Sequence, residues 1–329
     1  MHIADDDFRG KALFRIRKEN ARRYGGMAGL KAGIIYNNEN WILKFPKSTK
    51  NFKVIEISYT TAPLSEFIGS QIYKLIGIDV HETLLGVRDG ILVVACKDFR
   101  EDNETLYEFR EIKNAYVKGL EEELEDYSSS GTGTDINEII TVMNVNTEFI
   151  CNPKLKERFW DMFIVDAFIG NNDRNNGNWG ILSNNSNGTS RIAPVYDNGG
   201  SFNNSTGDEK FQSMLENEEK FINSAYNSRT CVFYDGDKKI NPLKYIEKTE
   251  NFDCNEALLR VIPRIDLEKI NELIEQIPEE YEGIKIISKI QKEFYKETLK
   301  YRFENVFIPV YDKIITMNEE EESEEEIEE

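Results

Sequence analysis

The sequence is poor in the residues that build metal cages and disulfide frameworks. Its 329 residues include four cysteines, Cys96, Cys151, Cys231 and Cys254, and two histidines, His2 and His81. The cysteines are scattered, no CxxC pair occurs, and the histidines lie far apart, so a zinc site is not expected. A chain this long with so few cysteines is not a disulfide scaffold, and a reducing compartment is the default. No apolar run reaches the roughly 18 residues that a membrane span needs. The opening MHIADDDFRGKALFRIRKEN has no apolar signal-peptide core. The expected location is the cytoplasm, or a host cell reached without a signal peptide.

Excess positive charge is missing as well. The net charge is −19, and the segment Glu319 to Glu329 holds nine of the acids and no Lys or Arg. Without that segment the body still has 41 basic against 51 acidic residues, a balance of −10. No extended nucleic-acid or anionic-membrane footprint is expected from such a surface. A local basic cleft for a nucleotide stays possible. What the chain does have is core material: 40 % hydrophobic residues, with 19 Phe and 15 Tyr. That is the composition of a folded globular protein.

Along the chain, residues 8–24 are basic and amphipathic and read as a short helix or strand. The stretch YGGMAGLKAG places Gly25, Gly26, Gly29 and Gly33 close together. IIYNNENWILKFP then reads as a hairpin with an Asn-rich turn. LSEFIGSQIYKLI, residues 64–76, has helical apolar spacing, with Gly77 as a C-cap. HETLLGVRDGILVVACKDF reads as two strands around an Asp89-Gly90 turn. Residues 24–99 are therefore a mostly antiparallel sheet with one inserted helix.

Beyond this point the period changes. Residues 104–126 are charged and read as helix, and Tyr127-SSSGTGTD as a flexible loop. Asp135 with Glu138 forms a capping-box start. Lys154 to Gly170 is a strongly apolar helix. Residues 207–230 carry no clear pattern. Helices are predicted over 254–277 and 279–317, interrupted at Pro263, Pro278 and Pro309. The fold class is α+β with two lobes: a β-rich N-terminal lobe (residues 1–100), a helical C-terminal lobe (101–317) and a disordered acidic tail (318–329).

The segment 165–202 carries the chemistry. Asp173 and Asn178 stand five residues apart in a polar, Gly-rich loop, and Asp197 precedes Asn198-Gly199-Gly200. An Asp, an Asn at plus five and a second Asp just before Gly is the set that phosphoryl transfer uses for hydroxyl and metal. An Asn-rich loop without chemistry is the plainer reading, because Asn and Asp are favoured in turns. The other half of such a site is upstream. Backbone N–H groups approach phosphate only where no Cβ intrudes, so Gly25, Gly26, Met27, Ala28, Gly29 and Lys31 form a candidate phosphate loop. No Walker A sequence is present, which disfavours a P-loop NTPase. Lys44, on a strand after this loop, is a candidate for the α and β phosphates, with Glu66 on the following helix as its partner. The strand end Ala95, Cys96 and Lys97 is a candidate adenine hinge. Taken singly, each of these is an ordinary turn, surface Lys, helix Glu or core strand. In this order along one chain they describe an ATP site.

FIGNNDRNNGNWGIL followed by APVYDNGGSF resembles the catalytic and metal-binding segments of the HipA-like serine/threonine kinases. The likeness extends to WILKF, SEFIGSQIYKLIGIDVHET and LVVACKDF, and is greatest to the compact CtkA-type members. It implies a kinase-like two-lobe fold, ATP and Mg²⁺. By position it implies Asp173 as catalytic base and Asn178 and Asp197 as Mg²⁺ ligands. Lys44 corresponds to the phosphate-contacting lysine and Gly26 to Lys31 to the phosphate loop. Asn175 and Tyr196 join the nucleotide-binding set. Two departures stand out. The family loop reads Asp-x-His-x-Lys-Asn, and here Asn175 and Gly177 replace His and Lys. The Gly loop also holds no Ser or Thr, so self-phosphorylation needs another acceptor, such as Ser128 to Ser130.

The expected activity is therefore Mg·ATP-dependent phosphorylation of a protein Ser or Thr. A regulatory partner protein and autophosphorylation are compatible with it. The alternatives are a small-molecule or lipid kinase, which shares the Asp-x4-Asn logic, a pseudokinase that binds ATP as an interaction module, and an acidic interaction protein.

Overall fold

A computed structural model describes residues 31–50, 57–121 and 133–328. The expected 8–24 element, the glycines 25–29 and the 128–130 serines lie outside the described residues. At the N-terminal side, β1 (Lys31–Tyr36) and β2 (Glu39–Lys44) form a hairpin. Its turn residues Asn37 and Asn38 have φ of 49° and 63°. Asn tolerates this left-handed region because its short polar side chain bonds locally. β3 (Thr83–Arg88) and β4 (Ile91–Lys97) form the second hairpin around Asp89-Gly90, and the sheet order is β1-β2-β4-β3. Both hairpins stand where the sequence puts them.

Between the hairpins lies α1 (Ala62–Ile76), with Pro63 in its first turn and Gly77 closing it at φ 80°. Leu64, Phe67, Ile68, Ile72 and Ile76 are buried along it. One core runs from Leu85 and Val94 of the sheet through α1 to Phe159, Phe163 and Phe168. A smaller cluster of Ile34, Trp41, Leu43, Val93 and Ala95 forms a second apolar layer on the sheet.

The charged 104–126 stretch is only partly helical. Glu104–Glu108 is a strand, β5, followed by α2 (Phe109–Glu121). β5 pairs with β6 (Gly180–Asn184), and β6 with β7 (Ser190–Ile192). The close approach depends on Gly180: a Cβ there would meet the Tyr107 carbonyl oxygen at 2.1 Å. This pairing, not local propensity, sets the strand.

α3 (Ile136–Val145) starts at Asp135, whose side chain accepts from Asn137 N at 2.9 Å and Glu138 N at 3.2 Å. After the single turn α4 (Thr147–Cys151) comes α5 (Lys154–Ile169). From Phe159 to Ile169 α5 is apolar and buried nearly all round, Asp161 and Asp166 aside.

The unpatterned 207–230 region holds α6 (Asp208–Leu215), α7 (Glu218–Ile222) and a π-helical turn over Asn223–Asn227. A short hairpin, β8 (Tyr234–Asp235) and β9 (Lys238–Lys239), precedes α8 (Pro242–Lys248), α9 (Phe252–Val261) and α10 (Leu267–Gln276). Pro263 falls in a 3₁₀ turn between the last two. The expected helix over 279–317 begins later. Residues 280–285 form the hairpin of β10 (Glu280–Tyr281) and β11 (Ile284–Lys285), turned by Glu282 and Gly283 at φ 50° and 77°. α11 (Lys289–Arg302) leads through a π-helical turn into α12 (Ile308–Glu328). That wider turn lies just before Pro309, which has no N–H to donate. The segment from 318, expected to be disordered, continues α12 as helix to Glu328. Glutamate is a good helix former, which favours the continuation. Among the described residues no helix is long and apolar enough to cross a membrane.

Candidate active site

The site is built where α5 ends. Gly170 closes the helix at φ 69°, and a Cβ there would meet Arg229 Nη2 at 2.6 Å and Arg302 Nη1 at 2.9 Å. Both arginines donate to the terminal carbonyls of the helix: Arg229 to Gly170, and Arg302 to Phe168 at 2.7 Å. Cationic groups are favourable at a helix C-terminus and satisfy its orphan carbonyls.

The loop after Gly170 is held by its own amides. Asp173 N donates to Asn171 Oδ1 at 3.1 Å. The Asp173 carbonyl accepts from Asn175 N at 2.8 Å and Asn178 Nδ2 at 2.6 Å. With its amide nitrogen engaged, Asn178 has its Oδ1 left for a cation. The Asp173 carboxyl is exposed to the cleft. Arg174 turns the other way and is buried. It donates to Asp166, to the carbonyls of Asn178 and Tyr196, and to Asn198 Oδ1 at 2.5 Å. The loop and the Asp197 segment are thus tied to one guanidinium.

Asp197 follows β7 and has φ 58°, a strained backbone for a residue other than Gly. The two N–H groups after it point at Glu66: Asn198 N to Oε1 and Gly199 N to Oε2, each at 3.0 Å. Lys44, the last residue of β2, lies 3.1 Å from Glu66 Oε2 and also bonds Asp197 Oδ1. His81 Nε2 stands 2.9 Å from Glu66 Oε1. Burial pushes the Glu66 carboxyl up, but Lys44 and His81 outweigh it and hold the group well below the usual carboxylate range. Asp197 is lowered too, burial being overcome mainly by Lys44. Burial lowers Lys44, yet Asp197 and Glu66 beside it carry its pKa well above the usual value. All three groups are charged at neutral pH.

A cavity of about 500 Å³ opens over this cluster. Lys31, Lys44, Glu66, Asp173, Asn175, Asn178 and Asp197 all line it, so the structure brings these seven sequence candidates together. Gly25, Gly26, Met27, Ala28 and Gly29 lie outside the described residues. Ala95, Cys96, Lys97 and Tyr196 do not line it, although Cys96 lies beside it, its sulfur within 4.8 Å of the nearest Glu66 and His81 ligand atoms. β4 is an interior strand: Ala95 pairs with Leu43 and Leu84, and Cys96 with Ile42 and Thr83. Lys97 N donates to Glu82 O and Asp98 N to Asn40 O, where the strand ends. Tyr196 packs 5.5 Å from the Phe99 ring and donates to the Gly177 carbonyl at 3.3 Å.

The residues that sequence reasoning missed are the supports: Asp166, Asn171, Arg174, Asn198 and His81. Asp166 had a signal, a carboxylate inside the apolar run FIVDAFIG, where an unpaired charge is costly.

The sequence matches the HipA-like C-terminal domain over residues 9–277. The chain belongs to the HipA-like family. The family's serine/threonine-protein kinase CtkA of Helicobacter pylori is 36 % identical over 296 residues, covering 90 % of this chain and 86 % of that protein. The crystal structure of a Helicobacter pylori proinflammatory kinase CtkA superposes with a TM-score of 0.79 at 33 % identity, over 91 % of this chain and 96 % of that one. HipA of Shewanella oneidensis, solved with HipB and operator DNA, shares the fold at a TM-score of 0.51 and 13 % identity, over 89 % and 68 % of the two chains. The β-rich N-terminal part and helical C-terminal part expected from sequence are those of this HipA-like family.

Proposed function

We infer that this chain is a serine/threonine protein kinase that transfers the γ-phosphate of Mg·ATP to a protein hydroxyl. The observation that carries this reading is the cavity in which Lys44 touches both Glu66 and Asp197 while Asp173 and Asn178 share the same wall. The exposed Asp173 carboxylate orients the acceptor hydroxyl and takes its proton. Lys44, held by Glu66, faces the α and β phosphates. Asn178 and Asp197 offer amide and carboxylate oxygens, the hard donors that suit magnesium. Magnesium, when bound, neutralises charge on the β and γ phosphates. The Glu66 grip on Asn198 N and Gly199 N fixes the Asp197 turn against Lys44, so the site is preorganised. Self-phosphorylation belongs to the same proposal, with Ser128 to Ser130 as acceptors.

The test is incubation with Mg·[γ-³²P]ATP and a cell lysate, comparing wild type with Asp173→Asn. Label on protein in the wild type, lost in the variant with ATP affinity retained, is the expected result. Undiminished transfer by Asp173→Asn, or label only on lipid or sugar, overturns it.

A further inference from the structure

Three metal-binding side chains meet beside Lys44. Glu66 of α1, His81 just before β3 and Cys96 of β4 bring one ligand atom each within 4.8 Å of one another. They are 3 %, 4 % and 1 % exposed. Spacing along the chain points to no zinc site, yet the fold assembles this trio, and no other of its kind among the described residues. Each member is held by backbone bonds or pairing. His81 N donates to Val195 O at 3.0 Å, and Cys96 pairs with Ile42 and Thr83 in the sheet. Glu66 accepts from Asn198 N and Gly199 N.

The trio is not satisfied by its own members. His81 Nε2 is buried and stands 2.9 Å from Glu66 Oε1, close enough to act on its charge. It nevertheless has no aligned hydrogen-bond partner. A buried polar atom in that position needs a reason. Thiolate, imidazole and carboxylate together are a zinc ligand set. Zinc bonds of about 2.0–2.3 Å place ligand atoms roughly 3.5 Å apart, so each atom here needs to shift by under about 1 Å. On binding, the Cys96 thiol gives its proton to water. Zn²⁺, thiolate and carboxylate then sum to zero charge, which suits a buried site. Glu66 also lines the cavity, so a metal has a way in beside Lys44.

We propose that Glu66, His81 and Cys96 form a zinc site that switches the nucleotide site off. Zinc takes a share of the Glu66 carboxylate, which now meets Lys44 at 3.1 Å. Two cations on one carboxylate repel each other, so zinc drives Lys44 from the place that faces the phosphates. Zinc and ATP therefore oppose one another, and by linkage each weakens the other by the same factor. This regulation rests on the kinase reading above, whereas the metal site stands on its own geometry.

The test uses the full chain carrying Cys151→Ser, so that the exposed thiol takes no part. Cobalt is added without nucleotide, and the charge-transfer absorption of a cobalt–thiolate bond is followed. One equivalent of cobalt is expected to develop the band, and Cys96→Ala to abolish it. Zinc is expected to raise the unfolding temperature of the parent protein and not of Cys96→Ala. Nucleotide titration in excess magnesium is expected to show ATP bound about tenfold more weakly with zinc than without, and within about twofold in Cys96→Ala. No band in the parent protein, a band that survives Cys96→Ala, or equal zinc sensitivity of ATP binding in both overturns the proposal. The parent protein is read without any core substitution, so a Cys96→Ala chain that fails to fold does not shield the idea. Cobalt held through Cys96 in a chain that labels no protein upholds the metal site while the kinase reading falls.

Discussion

Arg174 clasps Asp166 with two hydrogen bonds, Nε to Oδ2 at 2.7 Å and Nη2 to Oδ1 at 3.2 Å, and both side chains are shut away from solvent. The clasp joins the last turn of α5 to the loop that carries Asp173. Asp166 also accepts from Tyr73 Oη at 2.9 Å and Asn171 Nδ2 at 3.0 Å, which brings α1 into the same network. A buried pair of this kind is costly to break from one side, because the remaining charge is left without a partner. Asp166→Asn is therefore expected to lower stability by roughly 3–5 kcal/mol. Urea unfolding measures it, and a loss under about 1 kcal/mol would show that the pair is not the anchor argued here.

The parts legible in the sequence are those specified locally. Asn37-Asn38 and Asp89-Gly90 mark their hairpins because few residues other than Asn, Asp and Gly accept positive φ. The Asp173–Asn178 spacing and the apolar α5 are visible for similar reasons of chemistry and period. What was not legible depends on distant partners. Glu104–Glu108 reads as charged helix, yet Gly180, far along the chain, lets β6 approach and makes it a strand. Arg174 beside Asp173 drew no reading from the sequence, and only the fold turns it inward to Asp166. The Glu282-Gly283 turn was visible in principle, since Gly after a polar residue signals a hairpin.

The Lys44–Glu66–Asp197 cluster makes stability depend on pH in a defined direction. Glu66 and Asp197 have folded pKa values below their ordinary 4.5 and 3.8, with burial opposing and Lys44 prevailing. Their contribution is present above those ordinary values and is lost as the pH falls through the folded ones. Lys44 has a raised pKa, so its contribution is lost as the pH rises above the ordinary 10.5 through the folded value. Lys44→Met removes the partner, and burial then dominates at Glu66. The acid limb of the melting-temperature profile is expected to be shallower in this variant than in wild type, because a Glu66 no longer held below its ordinary value loses no stability on protonation. Scanning calorimetry over the acid range reads this, and two parallel profiles would contradict it.

Gly200 sets the distance between the Asp197 turn and the catalytic loop. A Cβ at 200 would stand 2.6 Å from Asn171 Oδ1, 2.8 Å from Asp173 Cβ and 3.1 Å from Asp173 N. None of these is the far end of a flexible chain, so the loop itself must move. A displacement of about 1 Å at a reacting group costs on the order of 100-fold in rate. Gly200→Ala is expected to lose transfer by about that factor, with ATP affinity near wild type because Lys44 and Glu66 are untouched. Single-turnover transfer and nucleotide titration separate the two, and an unchanged transfer rate would place Asp173 outside the chemistry.

Arg302 supports the site from behind. It is fully buried and donates to Phe168 O at 2.7 Å and Ala225 O at 2.9 Å, beside Arg229. Burial first, and Arg229 next to it, lower the Arg302 pKa well below the ordinary value. Arg302→Met relieves that repulsion but leaves two buried carbonyls without their donor, at roughly 1–3 kcal/mol each. The unmet carbonyls win, because Phe168 O lies at the helix end where few other donors reach it. The net loss is expected to be about 2 kcal/mol, concentrated at the end of α5. Amide exchange should quicken at Asn171, whose N–H donates to Asp166 O at 2.8 Å, and at Asp173. Transfer should slow in step, because the loop inherits its position from that helix end. Exchange that quickens only globally, with no excess at Asn171 and Asp173, would mean that Arg302 serves the core and not the loop.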